Sequence, residues 1–174
     1  MYLAKNAKKE VKIHTPYIIC NDYMYKELKN IKVPTTIMTN SAENNGNIFG
    51  AVDYLNHKKD IINTGVTIKE YEGGISYHGK SMTIDDDIAI VGSFNMDMRS
   101  AYIDTELMLV INSKNINKQL KASMEEYEKK AATVKNETEY SHIPEGMKMK
   151  ELSDKKKNIK AWFGWAMNGL RFLF

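Results

Sequence analysis

The sequence predicts an α/β fold in which a mixed β-sheet is flanked by helices. Three observations carry that expectation: short alternating apolar runs suited to strands, longer runs with apolar residues at helical spacing, and their order. That order reads strand, helix, strand, helix, several strands, helix.

Met1 to Glu10 reads as the end of a helix leading directly into Val11–Tyr17, whose alternation of Val11, Ile13 and Thr15 suits a strand stopped at Pro16. A domain opening in mid-helix looks truncated. Asn21 or Asp22 can cap a helix over Tyr23–Asn30, Thr35–Thr39 is strand-like, and Glu43–Asn47 is a loop by composition. Ile48–Ile62 has Val52, Leu55 and Ile62 at helical spacing and ends near Gly65. Val66–Glu70 is a strand, Gly73 and Gly74 break the chain, and Gly79–Asp85 and Ile88–Gly92 form two strands around the Asp85-Asp86-Asp87 turn. Thr105–Ile111 reads as a further buried strand, followed by a helix from about Asn115 to Ala132 in which Leu120 and Met124 share a face with Tyr127 or Glu128. Residues 1–132 are therefore expected to form the domain, and 133–174 a C-terminal tail. The tail is polar and irregular over Lys135–Met149, then carries the Lys155–Lys157 run and the aromatics Trp162, Phe163, Trp165, Phe172 and Phe174.

A chain of 174 residues, 43% hydrophobic and 27% charged, suits one globular domain with a continuous core rather than two. The net charge of +3 does not announce a nucleic-acid binder, although local basic patches remain open. Arginine occurs only at Arg99 and Arg171. Cys20 stands alone, which excludes an intrachain disulfide and a multi-thiolate metal site, and it reads as a buried filler rather than a reactive thiol. No secretory signal is visible at Met1–Glu10, and no run approaches the roughly 20 apolar residues of a spanning helix.

The chemistry is concentrated between Tyr77 and Ile111. His78, Lys80 and Asp85 form H-x-K-x4-D, and Gly92, Ser93 and Asn95 form G-S-x-N. The first triplet alone has a chance on the order of 1% in a chain this long, so the pair at fixed distance is not coincidence. Residues two apart on a strand share a face, which lets His78 and Lys80 reach one phosphate. A phosphodiester's charge moves over its nonbridging oxygens during substitution, and an ammonium with hydroxyl and amide donors stabilises it. Ser93 and Asn95, after a glycine that allows close backbone approach, are the natural donors. Histidine can act near neutral pH as nucleophile or as proton donor to the leaving oxygen.

These motifs resemble the phospholipase D superfamily. The run Gly92–Ser100 with Glu106 is similar to the second of the two HKD repeats in bacterial cardiolipin synthases, as are Thr15-Pro16-Tyr17, Thr39-Asn40-Ser41, Gly65-Val66 and Glu70-Tyr71, so that most of residues 1 to about 130 is covered. The resemblance implies a phospholipase D-like half-domain sandwich and a two-step reaction. One motif histidine attacks phosphorus to give a phosphohistidine while the other protonates the leaving alcohol, and water or a second alcohol then releases the phosphoryl group. The candidate catalytic residues are His78, Lys80, Asp85 and Glu106. Lys80, Ser93 and Asn95 are expected to bind phosphate, and Glu106 to orient and polarise an active-site imidazole. Asp85 belongs to the motif, yet its position beyond the strand pair suggests a structural or salt-bridging role. No metal or other cofactor is implied. Asp104 stands where the family usually has asparagine, which puts the hydrogen bonding near Glu106 in question.

The family site needs two HKD motifs and this chain has one, since His14, His57 and His142 lack the lysine at the right spacing. The second half-site is expected from a homodimer mate or from a missing first half, the fragment being favoured. The expected partners are a phospholipid and a membrane surface, with the protein peripheral at the cytoplasmic face of the cell membrane. An endonuclease acting on nucleic acid, or a half-site that binds phosphate without turnover, are the alternatives. Arg99 and Asp97 read equally as an ion pair or as substrate contacts, His14 as a strand residue, Tyr17 as pocket wall or packing, and Asn44–Asn47 as a mobile lip or a solvated loop. The aromatic tail reads equally as a membrane-interface segment or as packing.

Overall fold

The computed structural model describes residues 1–166 and 171. A one-turn helix, α1 (Tyr2–Lys5), precedes β1 (Val11–His14) and the two-residue β2 (Ile18–Ile19). Next come α2 (Asp22–Lys29), β3 (Thr35–Asn40), α3 (Ile48–Ile62) and β4 (Thr67–Tyr71). A hairpin of β5 (Ser81–Ile84) and β6 (Ile88–Gly92) leads to β7 (Met96–Asp97), the short α4 (Met98–Tyr102) and β8 (Met108–Asn112). The chain continues through α5 (Lys114–Glu128), β9 (Ala131–Val134), β10 (Tyr140–His142) and α6 (Asp154–Ala166). Eight strands make one mixed sheet in the order β10-β9-β4-β3-β1-β5-β6-β8, while β2 pairs with β7. Within the large sheet β1, β3 and β4 run parallel, joined by the helical crossovers that parallel strands require.

Helix starts follow the capping residues. The Asn21 side chain accepts from the Met24 N–H at 2.9 Å, and Asn47 accepts from the Phe49 and Gly50 N–H groups. Alternation then splits the strands between two faces. Ile13, Ile37 and Ile68 enter the main core with Leu28, Tyr54 and Ile61 of α2 and α3. Lys12, His14 and Lys69 point the other way, toward Glu128 of α5.

Four expectations need correction. In α3 the buried stripe runs through Ala51, Tyr54, Lys58 and Ile61, whereas Leu55 and Ile62 are only half-buried. Lys58 can sit inside because its ammonium meets the Glu70 carboxylate at 2.7 Å. The strand expected to be buried at Thr105–Ile111 starts at Met108 and forms the sheet edge, leaving Leu107 78% and Leu109 59% exposed. The helix expected to reach Ala132 stops at Glu128, and Ala131 and Ala132 pair with β4 instead. The helix before β1 stops at Lys5, and residues 8–10 turn their N–H groups onto Asp85.

β9 and β10 carry the sheet past residue 132, where sequence analysis ends the domain. α6 packs on α3, and its Lys156, 7% exposed, donates to the Ala42, Glu43 and Asn45 carbonyls at 2.8, 2.5 and 3.0 Å. Trp162 is 83% exposed. The side chains of Phe163 and Trp165, and Leu170, Phe172 and Phe174, lie outside what the structure describes. No helix among the described residues is long and apolar enough to cross a membrane.

The charged face beneath α5 makes stability depend on acid. Burial alone would raise the Glu128 carboxyl, but His14, Lys69 and Lys12 pull it down to about 2. Burial also holds the His14 imidazole below its ordinary value, against the pull of Glu128. Both groups bind protons more readily when unfolded, so both shifts make stability fall as pH falls. The His14 contribution fades below about 6.5, and the Glu128 contribution, about 3 kcal/mol, fades between roughly pH 4.5 and 2. Urea midpoints measured from pH 7 to 2.5 should show this decline, and Glu128→Gln should start lower at pH 7 with a flatter acid limb. An equally steep limb in the variant would remove Glu128 as its cause.

Candidate active site

β5 begins at Ser81, so His78 and Lys80 stand on the extended approach to the sheet rather than on a strand. Their two-residue spacing still brings them together: Lys80 Nζ donates to His78 Nδ1 at 2.8 Å and to the His78 carbonyl at 3.0 Å. An ammonium offers no lone pair, so the imidazole accepts in its neutral form. Burial, then the Lys80 charge, keeps His78 below its ordinary value. Burial likewise lowers Lys80, opposed by Glu106 and Asp97. A neutral imidazole beside a cation is the state a nucleophile needs.

The second limb is drawn in by a glycine. The Gly92 N–H donates to the Lys80 carbonyl at 3.2 Å, and a Cβ at Gly92 would lie 2.1 Å from the Leu107 carbonyl. Only glycine permits this approach, which sets Ser93 against the start of β8. The Ser93 N–H donates to the Leu107 carbonyl at 3.0 Å, and Ser93 Oγ accepts from the Leu107 N–H at 3.0 Å while donating to the Glu106 carboxylate. Ser100 completes the net by donating to Glu106 Oε1 at 2.9 Å and accepting from the Asn95 amide at 3.4 Å. Asn95 Oδ1 is a buried acceptor with no partner among the described residues, while Nδ2, which gives one hydrogen to Ser100, keeps a second N–H for a ligand. Ser100 lay inside the Gly92–Ser100 run, but nothing in the spacing distinguished it.

The expected residues do not all converge. Asp85 sits at the far end of β5 from His78, in the left-handed region with φ 53°, and its carboxylate accepts from the Lys8, Lys9 and Glu10 N–H groups. Burial would raise that carboxyl, but the three N–H donors hold it below the usual range. Asp85 therefore anchors the entry to β1, a structural role rather than a catalytic one. Glu106 is engaged by Ser93 and Ser100, and no hydrogen bond joins it to His78. Arg99 pairs with Asp104 at 3.0 Å, and Asp97 caps α4 by accepting from the Ser100 N–H. The Asp104 substitution is thus taken up by Arg99 and leaves the Glu106 contacts free.

The remaining candidates are structural in place. His14 is 2% exposed, with Glu128 and the Tyr77 hydroxyl each at 3.3 Å from its ring. Cys20 is fully buried. Tyr17 packs on Gly50, and burial and Asp97 hold its hydroxyl up. In the Asn44–Asn47 segment Asn44 and Asn45 are buried and bonded to Asn40, Ile75 and Pro16, whereas Gly46 is exposed and Asn47 half-buried.

Phe94 and Met96, which alternate with Ser93 and Asn95, line an apolar cavity of about 570 Å³ with Met24, Met82, Met108 and Val110. The cluster that holds Ser93 and Asn95 thus has an apolar wall beside it, on the side of Phe94 and Met96.

Residues 2–127 match a family model described as the phospholipase D-like domain of cardiolipin synthase. Cardiolipin synthase 1 of Staphylococcus epidermidis is 30% identical over 149 residues, which are 84% of this chain and 30% of that protein. Among the curated relatives it matches, the chain spans from 14% to 30% of their length. In structure it resembles the phosphatidylserine synthase of Haemophilus influenzae, with a TM-score of 0.70 at 16% identity over 99% of this chain and 43% of that one. It also resembles Nuc of Salmonella typhimurium, a phospholipase D family member, with a TM-score of 0.62 at 18% identity over 76% of this chain and 86% of that one.

Proposed function

This chain belongs to the phospholipase D-like domain family of cardiolipin synthase, and from that premise we propose that it supplies one half-site for phosphodiester exchange on a glycerophospholipid. The observation that carries the reading is the neutral His78 accepting from Lys80 beside the Ser93–Asn95–Glu106 net. In the first step one histidine forms a bond to phosphorus, the ester bond to the leaving alcohol breaks, and the second histidine gives that alcohol its proton. In the second step water or an alcohol attacks phosphorus, loses its proton to the second histidine and frees the first. Lys80 and the second N–H of Asn95 Nδ2, the first being given to Ser100, hold the nonbridging oxygens, and His78 takes one of the two histidine roles.

The other histidine belongs to a second half-site, from another copy of this chain or from an HKD half in a longer protein. The exposed apolar edge at Ile103, Leu107 and Leu109 suits such a mate. The apolar cavity beside Ser93 and Asn95, whose lining carries Glu27 and no lysine or arginine, favours a substrate with a greasy portion over a polynucleotide, whose backbone would call for basic side chains there. On this reading the protein works peripherally, at the cytoplasmic face of the membrane.

Mass spectrometry of products tests this, with the wild type and His78→Asn each incubated with phosphatidylglycerol and phosphatidylethanolamine vesicles and, separately, with plasmid DNA, all in chelator. Cardiolipin or phosphatidic acid from the wild type alone is the expected result, and the product names the acceptor. Cleaved plasmid that depends on His78, with no lipid product, would replace the lipid reading with a nuclease. No product in any arm, from the chain alone or mixed with an HKD first half, would leave a phosphate-binding module.

A further inference from the structure

We propose that Asn40 is the positioning residue for His78 and acts by clamping the Tyr77 peptide; the inference rests on the catalytic reading of His78 above. Residues 76–79 lie outside the strands, so their backbone needs another source of order. Asn40, the last residue of β3 and 1% exposed, supplies it. Its Oδ1 accepts from the Tyr77 N–H at 2.8 Å while its Nδ2 donates to the Tyr77 carbonyl at 2.8 Å. One carboxamide thus pairs with both polar groups of the residue immediately before His78, as a neighbouring strand would.

The clamp is itself held. Asn40 Nδ2 also donates to the Pro16 carbonyl at 2.8 Å, and Oδ1 accepts from Asn44 Nδ2 at 3.2 Å. Two N–H donors and two lone pairs are then all engaged, which fixes the amide's orientation and leaves none of its capacity for substrate. Asn44 stands in the turn whose carbonyls close around Lys156, so α6 is tied through that turn to the His78 approach. Aspartate at position 40 has the same shape without the donors, and its carboxylate would face the Pro16 and Tyr77 carbonyls.

Asn40→Asp and Asn40→Ala, made in the assembly that turns over diester, separate positioning from stability. We expect kcat to fall about 100-fold, the cost of displacing a catalytic group by roughly 1 Å, with KM within about threefold because Ser93 and Asn95 are untouched. Independently of turnover, the His78 imidazole followed by NMR should titrate closer to its ordinary value in both variants. Tyr77 amide exchange should quicken in the alanine variant. Should Asn40→Ala fail to fold, Asn44→Ala removes one restraint on the clamp and should give the same changes at roughly tenfold in kcat. A variant that folds with the His78 titration unchanged, or whose kcat falls only with its folded fraction, overturns the proposal. A wild type with no turnover counts against the catalytic reading instead, and the titration and exchange data still decide the clamp.

Discussion

Replacing His78 by asparagine is expected to lower diester turnover in the complete assembly by about 10⁴-fold or more, because either histidine role is lost outright. The fold should be untouched. His78 is exposed, its side chain's hydrogen-bond partner is Lys80, and its removal leaves no buried group unpaired, so the urea midpoint should move by less than about 0.5 kcal/mol. Ground-state binding should also survive, since Lys80 and the second Nδ2 N–H of Asn95 remain; inhibition by inorganic phosphate is its measure. Activity within tenfold of wild type would remove His78 from the chemistry. The wild-type pH profile then separates the roles. Where the other half-site comes from a different HKD half, a nucleophilic His78 gains turnover as pH rises through its depressed value and an acid loses it, whereas two copies of His78 give both limbs.

The largest stability effect belongs to Glu70. Its carboxylate receives the Lys58 ammonium at 2.7 Å and the Tyr54 and Tyr140 hydroxyls at 2.6 and 2.5 Å, and the Lys58 and Glu70 side chains are 5% and 4% exposed. Glu70→Ala strands a buried cation and two hydroxyls, so destabilisation of about 3–5 kcal/mol is expected by urea denaturation. The double variant Glu70→Met, Lys58→Met should recover most of that loss, because the strong penalty comes from the unpaired charge rather than from absence of the pair. A single-variant loss under about 1 kcal/mol would show that Lys58 escapes to water.

The residues that interact over short sequence distances were the legible ones. His78 and Lys80 are two apart, Ser93 and Asn95 likewise, and Gly92 announced the close approach that its contact with Leu107 explains. The mixed sheet with flanking helices was legible for the same reason, since periodicity is a local signal. Asp85 shows the limit of a motif: it has the right spacing, but four strand residues carry it to the other end of β5, where backbone donors from residues 8–10 receive it. The expected buried strand failed because an apolar run reads alike whether a neighbour covers it or not, and β8 has a neighbour on one side only.

By itself the sequence determined the fold class and the juxtaposition of His78 with Lys80, because each depends on residues close in the chain and on the periodicity of the backbone that carries them. Tertiary structure alone decided that Asn40, thirty-seven residues before Tyr77, would hold the His78 approach, that Ser100 would join Asn95 to Glu106, and that Lys156 would fill the turn behind Asn44. Those contacts arise where strands and loops meet in space, and a lone asparagine, serine or lysine has no periodicity to announce its partner.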